Sequence, residues 1–373
     1  MKQALRTALL LAAALAGGCD GGEGGAPATQ PVAQPPAPAV DPAVAALIEQ
    51  LASPQITQRV AAAETLALMK EAAAPAVEAL AELLGDADAS VRAAAARALG
   101  WIGAPASMAA APLMRLLDDP DVDVRTRAAF ALGRLDPPAA AAAVPRLIVL
   151  LRTDVLDVRR RAATALGPLG TTDPQAALPV LVEATRHADA WVRNEAVLAI
   201  KALGPDACTA APALAALVAG EPDARVRKHA ALVLGRIDPD PAVAVPALAQ
   251  GVGDADEKVR FESILSLSML GPAAAPATPA LAAAMDDPVE RIRDTAAPIA
   301  LRRIGPAAVP RLAAILRDRD GPHRAQAVRA LRMLPPDGQT FALLGEAARD
   351  GDAEVRQAVR APLPAAAVAP LQP

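Results

Sequence analysis

Side chains able to do chemistry are few in these 373 residues, and they are scattered. His187, His229 and His323 stand far apart, and none is followed by glutamate. Metal centres need clustered donors, so neither a metal nor a cofactor is expected. Cys208 is the one cysteine beyond Cys19. Its register matches Met108 and Ala275, which suggests a packed, inert thiol and not a nucleophile. The glycines Gly21, Gly22, Gly24 and Gly25 have no strand before them and no lysine after, so they do not form a phosphate-binding loop. No catalytic residue is expected.

Two patterns of charged residues remain. The regular one is an aspartate four places before an arginine: Asp88 and Arg92, Asp121 and Arg125, Asp189 and Arg193, Asp223 and Arg227, Asp256 and Arg260. Arg159 shares the register with Val155 in the aspartate position. Such pairs are expected to form a structural ladder, each arginine fork bridging turn carboxylates and carbonyls of adjacent units. The other pattern varies. One and two places after those arginines stand Arg127, Arg160, Arg161, Asn194, Glu195, Lys228, His229, Phe261 and Glu262. Binding surfaces vary between layers where scaffolding does not. These nine residues are therefore the candidate stripe for an extended peptide or a protein face, with Phe261 as an exposed aromatic anchor.

The elements that must position them follow from a fixed period. From Arg59 the Val-Arg kernel recurs at spacings of 33, 33, 34, 34, 34, 33, 33, 31 and 32 residues, ending at Arg356. Such a period means stacked repeats. Each unit holds two apolar-periodic segments around an acidic turn, typified by VPRLIVLLR (144–152) and DVRRRAATALGPLG (157–170). In the second segment the apolar residues fall at −1, +3 and +7 from the arginine, as in Val124, Ala128 and Leu132, which places them on one helical face. Proline opens many first segments, at Pro75, Pro112, Pro145, Pro179, Pro212, Pro246, Pro279 and Pro310. Glycine closes second segments at Gly103, Gly170, Gly204, Gly271 and Gly305, where a left-handed cap is expected. The expected fold is all-α, an α-solenoid of about ten two-helix repeats.

Composition agrees with thin helical layers. The chain is 53% hydrophobic but 1% aromatic, with no tyrosine. That leaves few rings for a conventional globular core or for stacking bases. Its formal charge of −4, with both signs interspersed, argues against a nucleic-acid partner.

Residues 1–18 read as a signal peptide: Lys2 and Arg6, a short apolar run, then small residues before Cys19. Residues 19–42, rich in glycine, alanine and proline, read as a disordered tether, 43–361 as the repeat region, and 362–373 as a disordered tail. No strongly polar capping helix stands at the C-terminal end.

The segment MKQALRTALLLAAALAGGC resembles a bacterial lipoprotein signal, with Leu15 one place further from the cysteine than the usual box. That resemblance implies cleavage between Gly18 and Cys19 and lipidation of Cys19. A lipid-anchored protein of the cell envelope, facing the periplasm or the outside, follows as the expectation. The string D-x-x-V-R-x-x-A-x-x-A-L-G in 88–100 and 121–133 resembles the short HEAT-like repeats named after the phycobilisome lyases, over roughly 43–361. Gln58, Val155, Val289, Lys201, Ser268 and Leu301 depart from the pattern. The resemblance implies that the second helices line a concave surface and that the chain is a monomeric protein-interaction scaffold. It also carries the alternative of an enzyme or accessory protein related to bilin lyases or HEAT-type di-iron hydroxylases. The paired His-Glu steps of those hydroxylases have no counterpart here, and no pocket residues for bilin chemistry are evident.

Overall fold

A computed structural model describes residues 40–318, 320 and 323–362. The segment expected to be a signal peptide, Cys19, most of the expected tether and the residues beyond 362 lie outside the described residues. All regular structure among them is helical, and it forms ten layers of two helices each. The first layer pairs Pro42–Leu51 with Ile56–Met69, the fifth Pro174–Ala184 with Ala190–Leu203, and the last Gly338–Ala347 with Ala353–Arg360. Each second helix packs on the first helix of its own layer and on the second helix of the next.

The stripe read from the sequence is the stacking face. Val91, Ala95 and Leu99, then Val124, Ala128 and Leu132, then Val226, Ala230 and Leu234 are fully buried. All of these but Val91 join one continuous hydrophobic core running along the layers. Burying a valine or leucine side chain contributes roughly 1.5–3 kcal/mol, and the alanine between them keeps adjacent helices close. The glycine of Leu-Gly sharpens that approach. A Cβ on Gly133 would lie 2.8 Å from Ala165 Cα in the next layer. Two helical runs, Ala190–Gly220 and Glu257–Asp286, are long and apolar enough by composition to cross a membrane. Gly204 and Gly271, at φ +63° and +56°, interrupt them, and their apolar residues are largely those of the stacking faces.

Helix boundaries follow local chemistry. The aspartates four before the arginines cap the second helices: Asp88 accepts from the Ser90 N–H at 2.9 Å and Asp121 from Asp123 at 2.8 Å. Asp189, Asp223 and Asp256 accept in the same way from Val192, Arg225 and Lys258. Proline behaves as expected in Val144–Thr153, Ala211–Gly220 and Val309–Arg317, where it sits in the first turn. Pro179 and Pro246 depart from the expectation. Their helices begin earlier, at Pro174 and Pro241, so the later proline lies inside. Gly170 also departs: it is the last helical residue of Leu156–Gly170, with Thr171 closing the helix in right-handed geometry.

Gly103, Gly204, Gly271 and Gly305 end their helices at positive φ but with ψ between −132° and −145°. That is not the left-handed helical cap but a region nearly confined to glycine. Lys70 occupies it too, at φ 53° and ψ −131°. A side chain there costs roughly 1–3 kcal/mol. The greater unfolded-state freedom of glycine offsets about 0.5–1 kcal/mol of any relief. Lys70→Gly is therefore expected to raise the thermal midpoint by about 2 °C, measured by circular dichroism; a lowered midpoint would contradict the strain.

Candidate functional site

The ladder exists, but its acceptors are not the aspartates expected from the sequence. Asp88, Asp121, Asp189, Asp223 and Asp256 are occupied as helix caps. Apart from Arg159, each arginine of the expected ladder instead reaches a carboxylate at the start of the following turn, one layer on. Arg92 donates through Nε and Nη2 to Asp119 at 2.8 and 3.0 Å, and Arg125 to Asp154 at 2.8 and 2.9 Å. Arg227 grips Asp254 at 2.8 and 2.9 Å, Arg260 grips Asp287 at 2.7 and 3.0 Å, and Arg193 grips Glu221. Arg59 with Asp86 and Arg324 with Asp350 belong to the same series.

The remaining Nη1 holds the turn of the arginine's own layer. That of Arg125 donates to the carbonyls of Asp119 at 2.8 Å and Pro120 at 3.0 Å. The geometry is the planar, bidentate fit of guanidinium to carboxylate. It holds Asp154 below the usual carboxylate range, chiefly through the Arg125 hydrogen bonds. The physical reason for the miss is position: the ladder arginine of the preceding layer meets the start of the turn, and the cap lies past it. Capping alone does not bar a second contact, since Asp189 caps its helix and also takes Arg160. The signal was in the sequence as the second acidic residue two places before most caps.

The variable stripe divides into surface and interior. Arg127 is half-buried and paired with Asp123 at 3.0 Å. Arg160 binds Asp189 of the next layer at 2.8 Å and lies 3.7 Å from Asp157. Arg161 is exposed, its guanidinium 5.6 Å from the centre of the Phe130 ring. Glu195 accepts from Thr164 Oγ1 at 2.9 Å. Lys228 and Glu262 are half-buried.

Asn194 is interior, at 4% exposure. Its Oδ1 lies 2.6 Å from His229 Nδ1, and its Nδ2 donates to Glu195 at 3.2 Å. Asn194 is therefore a core polar link and not a contact residue. Phe261, expected as the exposed anchor, is half-buried against the core, and the Arg291 guanidinium covers it at 3.8 Å. Cys208, expected to be packed, is exposed. In its 3₁₀ turn Ala207 and Ala210 face inward, which leaves Cys208 and Thr209 between them outside.

The exposed rings are others: Trp101 and Trp191 are 37% and 43% exposed, and Phe341 in the last layer 66%. Trp101 lies 5.4 Å from Phe130, centre to centre, with Arg134 5.3 Å from the Trp101 ring. Trp191 has Arg225 at 5.3 Å. Between these groups an open cavity of about 500 Å³ is lined by Val122, Asp123, Thr126, Arg127, Asp157, Arg160, Arg161 and Trp191. Three of the nine expected stripe residues thus meet in one groove, which Trp191 walls. Arginine and tryptophan at a partly desolvated groove are the residue types that most often anchor protein contacts. Trp191 was legible as a rare aromatic two places before the arginine, where other layers hold Ser90, Asp123, Asp157, Arg225 and Lys258. Among the described residues no cluster of histidine, cysteine, aspartate and glutamate could hold a metal ion.

Burial pushes the His229 imidazole down to about 4, and the positive charges of Lys228, Arg225 and Lys201 add to the effect. A neutral ring suits a donated hydrogen bond from Nδ1 to Asn194. The unfolded chain takes up this proton near pH 6.5 and the folded chain only near 4. Stability from this group is thus full above pH 6.5 and lost as pH falls through that window. His229→Gln is expected to flatten the fall of the thermal midpoint between pH 6.5 and 4.5; an unchanged slope would place the titration elsewhere.

The sequence profile of HEAT repeats matches residues 44–115, 110–201, 157–235 and 210–302. No curated protein matches the chain. Among solved structures, an engineered protein from the Northeast Structural Genomics Consortium is 23% identical over 85% of this chain and 97% of its own, with a TM-score of 0.58. A second engineered protein from the same consortium is 25% identical over 61% of this chain and 98% of its own, with a TM-score of 0.42. The first likeness shows the fold alone. With the profile spanning most of the layers, the chain belongs to the HEAT-repeat family.

Proposed function

We propose that the protein is a non-catalytic scaffold that binds another protein, or an extended segment of one, along its second helices. The observation that carries this reading is the groove between Arg127, Arg160, Arg161 and Trp191. It continues through Arg161 to Phe130 and Trp101, and through Trp191 to Arg225. Large rigid rings flanked by arginines supply apolar contact and charge together, at little cost in side-chain entropy. Acidic Asp123 and Asp157 border the same groove, so it favours a partner of mixed charge over a polyanion such as nucleic acid. Trp191→Ala combined with Arg161→Ala is expected to abolish capture of the partner from crosslinked membranes with helicity unchanged. Equal capture by the variant would move the binding face elsewhere.

The address proposed for this scaffold is the bacterial cell envelope, through a lipid on Cys19. The supporting observation is the order of residues 1–19: positive start, apolar run, small residues, cysteine. Several acyl chains together give stable anchoring, which a single chain does not. Cys19→Ser is expected to move the protein from the membrane fraction to the soluble fraction. Retention of that variant on membranes would rule the lipid out as the anchor.

A further inference from the structure

The arginine ladder departs from its pattern at two places: Arg293 turns to Asp294 of its own helix, and Arg159 meets no carboxylate. In six layers an arginine fork closes on a carboxylate of the next turn, at Asp86, Asp119, Asp154, Glu221, Asp254 and Asp287, and in a seventh Arg324 reaches Asp350 through Nη2 alone. For Arg159 the residue at that place is His187, whose Nε2 lies 3.1 Å from Arg159 Nη1. His187 copies half of the acid's role. Its Nδ1 accepts the Asp189 N–H at 3.0 Å, as Asp119 accepts the Asp121 N–H at 2.9 Å. With Nδ1 committed as an acceptor, the neutral ring carries its proton on Nε2, and an N–H faces an N–H.

The carboxylates nearby are already taken: Asp154 by Arg125, Glu183 by Arg152 and Asp189 by Arg160. Arg159 Nε is fully buried without a hydrogen-bond partner, and Arg159 forms no ion pair among the described residues. A buried charge-bearing donor without an acceptor is costly and calls for a ligand. Beside it opens a cavity of about 310 Å³, lined by Arg152, Arg159, Arg186 and His187, by Glu183 with its carboxylate held by Arg152, and by Leu151, Val180 and Ala184 as apolar wall.

We propose that this gap is a carboxylate-binding site, which takes an aspartate or glutamate side chain of an acidic segment in the bound protein. The chemistry is argued from the other layers, where the same fork in the same register takes a planar carboxylate through two parallel bonds. The incoming carboxylate replaces the missing acid. One oxygen accepts from Arg159 and the other from His187 Nε2–H, while Arg186 adds positive charge at the rim. The site rests on the reading of the chain as a protein binder but shares no lining residue with the Trp191 groove. It turns a structural ladder into a recognition point at a single layer.

The test uses the full-length protein and a fluorescein-labelled, amidated tetraglutamate, with tetraglutamine as the blank and inorganic phosphate as a competitor. Tetraglutamate is expected to bind saturably and tetraglutamine not. Arg159→Gln and His187→Asp should each weaken tetraglutamate binding by about tenfold, the effect of losing a charged hydrogen bond. His187→Asp restores the internal carboxylate, so it should also raise the thermal midpoint, by about 2 °C. Trp191→Ala should leave tetraglutamate binding unchanged, which separates this site from the groove. Undiminished binding in both Arg159→Gln and His187→Asp overturns the proposal. Phosphate binding more tightly than tetraglutamate overturns the assignment to a carboxylate, and an unchanged or lowered midpoint for His187→Asp overturns the idea of a missing acid.

Discussion

Every layer of this protein depends on the apolar stripe of its second helix being covered by the next layer. The helix Ala224–Leu234 buries Val226, Ala230 and Leu234 completely, and it does so against the first helix of its own layer and the second helices of its neighbours together. The contacts run between neighbours, so the structure is close to one-dimensional, with stability set by each layer and its interfaces. Alanine makes the stacking tight, and the Leu-Gly glycines make it tighter. Gly100 has Phe130 and the Ala131 backbone within 3 Å of where a Cβ would stand.

The arginine forks are a second system laid over the first. Each joins the turn of its own layer, through carbonyls, to the turn carboxylate of the next. Their side chains are largely buried, Arg260 and Asp287 being 13% and 5% exposed. Partly buried pairs of this kind contribute less net stability than their geometry suggests, because desolvation opposes the attraction. Their stronger effect is on register, since two parallel hydrogen bonds tolerate little sliding between layers. The same argument gives the rung at Arg159 its interest: the register is kept by stacking while the charge is left unanswered.

Function in such a chain has to reside in departures from the repeat. The positions shared by all layers are consumed by capping, stacking and bridging. What differs between layers is the ring of Trp191, the exposed Arg161, the imidazole of His187 and the buried Asn194 with His229. The first three lie at openings in the surface, and the last pair is an interior hydrogen bond whose role is packing. The remote aromatic groups around Trp101 and Trp191 are joined by arginines and not by direct ring contact, which leaves faces available to a partner.

The sequence by itself determined the layered helical fold and the stacking face. These depend on local spacing: a residue at −1, +3 or +7 from the arginine lies on one side of a helix whatever surrounds it. Tertiary structure alone decided which carboxylate each arginine takes, because the choice depends on where the next turn lies in space and not on separation along the chain. It also decided exposure at single sites. Phe261 is covered by Arg291, Cys208 points outward from a turn with a three-residue period, and Asn194 turns inward to His229. Those outcomes are set by neighbours about thirty residues away or by local helix type, neither of which residue spacing within one unit encodes.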